Sequence, residues 1–409
     1  MKNNTIIITC TAIEWFDFII FVYLISPIAN YLLPSEIDSN SKYIIMFSLL
    51  TIPYIFRPLG GLFLGILADK TSRRLAFIIT VIIMLAASLG IALIPSYDSI
   101  GIYSVVLLIL CRVMQAFAIG GEYTISTVML YESSPNEYKF FNTSFINFST
   151  VLGSLVGQLV AIGIYLIWTT EEIDLFYWKV PFIISSILLL FVWYLRNMYL
   201  DYSQYKQNDK KDNFWKAEPN IIYKIFFLFL YLSFGGVGYY FFVIMSKHIF
   251  ISSGITEHSA NILSIIGMVS LLLFIPISAK LADKYNPSIL QISGVSFIVV
   301  FSIIYKVSIL SNSISINIIL QIIFAMGLSL YLGLLPAYIS GIFNRNIRCS
   351  ALGLSYNLSL TVFGASTPII ISYFITKYHF GDVIYLMISG VLTLFALIYF
   401  KGIKNDHSK

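Results

Sequence analysis

The feature that most constrains this chain is a succession of twelve apolar stretches, over 5–33, 43–68, 75–95, 100–130, 140–168 and 179–200, then 221–251, 258–282, 288–310, 314–343, 347–377 and 381–401. Each reaches about 20 residues or more, enough to cross a hydrocarbon core as an α-helix. They are continuous rather than alternating, which excludes the period-two pattern of barrel strands. Only 11% of residues are charged and mean hydropathy is +0.86, against roughly a quarter charged in a soluble domain. The expected fold is an all-α membrane protein with twelve transmembrane helices in two pseudo-symmetric six-helix bundles. The expected division is a first bundle over 1–200, a polar linker over 201–220 and a second bundle over 221–409.

The basic residues orient this array. With both termini on the inner side, Lys42, Lys179, Lys247, Lys306 and Lys377 fall outside, Arg57 and Arg112 fall within spans, and the remaining Lys and Arg, Arg196 among them, fall inside. That bias predicts a multi-pass membrane protein with both termini cytoplasmic. The net charge of +5 then reflects topology rather than nucleic-acid binding. Glu14 and Asp17 interrupt the first apolar run and no small-residue cleavage pattern follows, so it reads as a retained helix rather than a signal peptide. Cys10, Cys111 and Cys349 are scattered, which suggests neither a disulfide framework nor a metal cluster. No Walker-type phosphate loop occurs, so any driving force comes from a gradient.

A repeat points to mechanism. Leu67-Ala68-Asp69-Lys70 returns as Leu281-Ala282-Asp283-Lys284, each copy where one apolar helix ends and the next begins. Duplicated halves of this kind are how many carriers build two bundles around a central site.

Five ionisable residues fall inside the first-half spans: Glu14 and Asp17 in the first, Arg57 in the second, Arg112 and Glu122 in the fourth. A charge at the bilayer centre costs on the order of 3 kcal/mol even on lenient scales, so these side chains turn inward and find partners. At about 1.5 Å per residue, Asp17 and Arg112 both lie roughly 18 Å from their helix ends, near the midplane. Glu14 and Asp17 are three apart and share a helix face. Three acids and two bases are thus expected to form one network, read either as a proton path or as a static cluster that fixes helix packing.

Several motifs together resemble the major facilitator superfamily, and within it the metabolite:proton symporters. They are Glu14-Trp15-Phe16-Asp17-Phe18, Arg57-Pro58-Leu59-Gly60-Gly61, Gln115 through Gly120-Gly121-Glu122-Tyr123-Thr124, and Arg348 through Ser355-Tyr356-Asn357-Leu358-Ser359 to Gly364 and Pro368. The superfamily's loop signature is matched by Gly65, Asp69, Arg73 and Arg74, with Ser72 at a usual Gly. The resemblance implies a major facilitator fold and a cytoplasmic latch formed by these residues with Asp283 and Arg348; topology control by positive charge is the other reading. Lys139-Phe140 replaces a common Arg-Gly, Leu200-Asp201-Tyr202-Ser203 replaces an acidic Ser/Thr-Pro pattern, and the second loop lacks paired arginines. Gly153 and Gly157 give the fifth helix a close-packing face, but Gln158 stands where an antiporter motif has Pro, which favours symport.

The family implies either zwitterionic osmolytes such as proline and betaines or carboxylates such as 2-oxoglutarate and citrate. Three acids against two arginines make the site no anion trap, and the second half offers no clearly buried base. Trp15, Tyr123, Tyr239 and Tyr240 offer cation–π faces to an ammonium group, and Tyr356 and Asn357 complete the candidate substrate set. Gly235, Gly236 and Gly238 ahead of four aromatic residues suggest a bending gate or simple close packing, as do Gly333 and Pro336. The expected function is a proton-coupled importer of a small zwitterion by alternating access. A carboxylate symporter, an uncoupled facilitator and a non-transporting sensor are the alternatives; the short tail to Lys409 argues against the last. The expected partners are solute, protons and lipid, with no cofactor, metal or obligate protein partner, and no constellation suited to an enzyme.

Overall fold

The computed structural model describes residues 2–34, 36–37, 45, 51–199, 218–309, 313–377 and 380–406. Most of the 201–220 linker and the start of the second predicted span lie outside these residues. The described chain is helical, without strands. It forms the expected all-α membrane fold, with twelve helices long and apolar enough to span a bilayer. They are α1 (Asn4–Tyr23), α2 (Ile52–Lys70), α3 (Arg73–Leu93), α4 (Tyr103–Ser133), α5 (Asn136–Ile167), α6 (Tyr177–Met198), α7 (Ile221–Ile244), α8 (Glu257–Ala282), α9 (Pro287–Ile309), α10 (Ile314–Ser340), α11 (Arg348–Phe374) and α12 (Gly381–Phe400).

Two compact units make up the chain. The first comprises Met1–Met129, Leu152–Lys211 and Arg345–Leu354; the second comprises Leu130–Val151, Asp212–Asn344 and Ser355–Lys409. In the first unit α6 packs along α3 and α1, and α2 packs along α3. Glycines let α5 approach α1: a Cβ at Gly153 would stand 2.5 Å from the Ala12 carbonyl oxygen, and one at Gly157 would stand 2.7 Å from Ile19 Cγ2. In the second unit α10 packs against α8 and α9, and α12 against α9 and α7.

Helix breaks follow proline and glycine. The helix after Tyr23 resumes at Ile25, because Pro27 has no N–H to give the Tyr23 carbonyl. Helix α10 pauses at Gly333–Leu334 and restarts at Leu335, where Pro336 withholds a donor from Leu332. In α7 and α11 the break is a single π-turn, Tyr240–Ile244 and Leu360–Gly364, closed by Met245 N to Tyr240 O and Ala365 N to Leu360 O, each at 2.8 Å. Pro368, four residues past Gly364, explains the second. The two broken helices meet where a Cβ at Gly236 would come within 3.3 Å of Gly364 N, and the Tyr240 ring covers Gly364.

Candidate functional site

Helix α1 presents Glu14 and Asp17 to α3, α4 and α6, and the two acids sit in different surroundings. Asp17 is fully buried. Its carboxylate accepts the Ser88 hydroxyl at 2.5 and 2.6 Å, the Ser185 hydroxyl at 2.6 Å and the Gln115 amide at 2.8 Å. Arg112 is linked to it through an intermediary: Arg112 Nη1 donates to Gln115 Oε1 at 2.8 Å, which turns the Gln115 amide toward Asp17. The Arg112 guanidinium lies over the rings of Phe18 and Phe21, 4.6 and 4.2 Å from their centroids.

Glu14 pairs with a cation expected on the inner side, Arg196. Arg196 Nη2 donates to Glu14 Oε2 at 2.7 Å and stands 3.7 Å from Glu122 Oε1. Its Nη1 donates to the Phe77 carbonyl at 2.6 Å and to Thr80 Oγ1 at 3.0 Å, while Thr11 donates to Glu122 Oε1 at 2.8 Å. Arg196 is therefore a buried partner of the acids, not a topology charge. A signal for this existed: Phe182, Ser185, Leu189, Val192 and Arg196 recur at helical spacing and all are buried, so Arg196 continues the inward stripe of α6. Ser185 lies on the same stripe, whereas Thr11, Ser88 and Gln115, which solvate the acids from other helices, are of residue types equally at home in any helix.

Arg57 is also fully buried, with its guanidinium 5.1 Å from the Tyr54 centroid and 5.7 Å from that of Phe18. Trp15 meets Phe18 and Tyr123 edge-on, both at 6.4 Å. Arg57 and a group of aromatic faces thus share one region of the first unit. Tyr239 and Tyr240 belong to the second unit, with the Tyr239 hydroxyl 3.3 Å from the Thr150 carbonyl. Asn357 is buried and Tyr356 half-buried on α11.

The expectation of no buried base in the second half is corrected by Lys306. This residue, expected in an outer loop, is buried on α9 and donates to Asp382 Oδ2 of α12 at 2.8 Å. Lys179, also expected outside, is buried and donates to Tyr31 Oη at 2.9 Å and the Ile94 carbonyl at 2.7 Å.

The two copies of the Leu-Ala-Asp-Lys repeat make matching contacts. Asp69 accepts the amides of Cys349 and Ser350, at 3.1 and 2.8 Å, and the Ser350 hydroxyl at 2.7 Å, so it caps the first turn of α11. Asp283 accepts the amides of Phe140 and Phe141, at 2.8 and 3.0 Å, in the first helical turn of α5. Each carboxylate meets free N–H groups and the positive end of a helix drawn from the other half of the sequence. Partial burial pushes the Asp283 carboxyl up, and the Phe140 and Phe141 amides oppose that shift. A Cβ at Gly65 would stand 2.7 Å from the Cys349 carbonyl oxygen, so glycine is needed for α2 to reach α11. Arg73 donates to the Arg345 carbonyl at 3.0 Å just ahead of Arg348. Arg74 bonds the Asn197 carbonyl, and Ser72 caps α3 by accepting Leu75 N.

Twelve spanning helices, buried charges and paired helix-capping acids define a membrane transport protein of duplicated design, and the comparisons identify its family. The Major Facilitator Superfamily profile matches residues 7–249, and the chain belongs to that family. A Staphylococcus aureus (strain COL) protein provisionally named a proline/betaine transporter is 30% identical over 377 residues, 90% of this chain and 80% of its own. The proline/betaine transporter of Salmonella typhimurium (strain LT2) is 27% identical over 413 residues, 96% of this chain and 82% of its own. Among solved structures, the proton:xylose symporter XylE from E. coli, bound to 6-bromo-6-deoxy-D-glucose, superposes with a TM-score of 0.82 at 15% identity, covering 97% of this chain and 94% of its own.

Proposed function

We propose that this transporter is a proton symporter of the bacterial inner membrane, with cytoplasmic termini, which imports a small zwitterion such as proline or a betaine by alternating access. The observation that carries the coupling is the environment of Asp17. Its donors are two hydroxyls and an amide, all neutral. A carboxylate held this way exchanges a proton without first breaking an ion pair, while Arg112, one residue removed through Gln115, stabilises the ionised form. Glu14 and Glu122 form the second acidic station of the same path.

Arg57 among Tyr54, Phe18, Trp15 and Tyr123 supports the zwitterion reading, a guanidinium for the carboxylate and aromatic faces for the ammonium group. The names of the relatives from S. aureus and S. typhimurium favour the same substrate class. Lys306 does not shift the balance toward dicarboxylates, because Asp382 already neutralises it. Asp69 and Asp283 act as latches: for the start of α11 to move from α2, or the start of α5 from the α8 end, these charge-assisted bonds must open.

Uptake of labelled proline, glycine betaine and 2-oxoglutarate into proteoliposomes, with and without an inward proton gradient, tests the proposal. Gradient-driven accumulation of proline or betaine is expected. Accumulation of 2-oxoglutarate alone would replace the substrate class; equilibration without accumulation would make the protein a facilitator, and no uptake of any compound would leave the sensor reading.

A further inference from the structure

Glu14 and Glu122 have one guanidinium between them. Arg196, Glu14 and Glu122 are at most 1% exposed. Among the described residues the other polar groups facing them are neutral: the Thr11 hydroxyl on Glu122, the Phe77 carbonyl and Thr80 hydroxyl on Arg196, and the Cys10 thiol beside Arg196. Two ionised carboxylates would therefore leave one negative charge uncompensated and cut off from water, a costly arrangement. Two acids at one site avoid it when one of them holds a proton.

The hydrogen-bond count leads to the same place independently. Glu14 Oε1 and Glu122 Oε2 are buried and receive no donor among the described residues, and the two carboxyl groups stand 2.7 and 3.7 Å from the same nitrogen, Arg196 Nη2. A proton on one of them supplies the missing donor to the other. We infer that Glu14 and Glu122 hold one shared, resident proton, and that Arg196 is the positioning residue that sets the number at one. Asp17, with its own hydroxyl and amide donors, binds its proton separately. The inference builds on the proton path proposed for these acids, but its test reads protonation rather than transport, so failure of coupled uptake and failure of the shared proton give different results.

The test is infrared absorption of the full-length protein in lipid nanodiscs at neutral pH, prepared with carbon-13 at the glutamate side-chain carboxyl. A protonated-carboxyl band that shifts with the label is expected in the unmutated chain. It should survive Asp17→Asn and Arg196→Lys, and be lost in Glu14→Gln and in Glu122→Gln, where one carboxylate faces one guanidinium. An unmutated spectrum with no label-sensitive band overturns the inference without any variant. So does a band that persists in both glutamine variants or vanishes in Asp17→Asn.

Discussion

Asp69 and Ser350 are joined twice, the carboxylate of one accepting both the amide and the hydroxyl of the other, at 2.8 and 2.7 Å. Asp283 takes the amides of Phe140 and Phe141 in the corresponding way. A short repeat in the sequence is thus a repeated device in the fold: an acid at the end of one helix caps the start of another.

Asp69→Asn keeps the shape and removes the charge, and is expected to lose about 1.5–3 kcal/mol of hydrogen bonding to an ionised group. Ser350→Ala, which removes one of three donors, should cost about 1 kcal/mol. Asp283→Asn should fall below Asp69→Asn because Asp283 is partly exposed. Thermal inactivation midpoints of the purified variants check the order; equal midpoints for Asp69→Asn and the parent chain would remove the cap from the account.

Gly65→Ala places a methyl group 2.7 Å from the Cys349 carbonyl oxygen and from Ser350 Cα. Backbone cannot yield as a flexible side chain would, so the variant should lose about 1–3 kcal/mol. Gly163, with nothing within 4 Å of its Cβ position, is the matched control: Gly163→Ala should be neutral or slightly stabilising, since alanine is the better helix former.

Arg196→Gln strands two buried carboxyl groups, and loss of one partner of a buried pair typically costs about 3–5 kcal/mol. Adding Glu14→Gln should recover part of that loss, because only Glu122 is then left without its cation. A double-mutant cycle on unfolding midpoints measures the coupling; strictly additive losses would mean that Arg196 and Glu14 do not act as a pair.

Lys306 and Asp382 form the corresponding pair of the second unit, 2.8 Å apart and buried. Lys306→Met alone should destabilise by about 3–5 kcal/mol, and Lys306→Met with Asp382→Asn should be milder than either single change. If the pair instead belongs to the transport path, the double variant will fold and fail to accumulate solute, which uptake measurements distinguish.

The fold was legible because hydrocarbon thickness imposes a length and an apolar composition on every span, and these survive in the sequence as the stretches that became α1 to α12. Gly333 and Pro336 also announced the break in α10, while 5–33 and 347–377 read as continuous apolar runs across the breaks at Pro27 and Pro368. Partners were less legible. Arg196, Lys179 and Lys306 all lie near span ends, where a positive charge ordinarily reports topology, and only the burial stripe on α6 separates Arg196 from that role. Ser88, Gln115 and Ser185 converge on Asp17 from three helices, and no single-helix pattern encodes such convergence.

Uptake and exchange by Asp17→Asn in proteoliposomes test the central claim most directly, because asparagine keeps the shape of the side chain and cannot carry the proton. Labelled solute should still exchange across the membrane down its own gradient, while accumulation driven by an inward proton gradient is lost. Accumulation at the parent level by Asp17→Asn would contradict the assignment of Asp17 as the coupling acid.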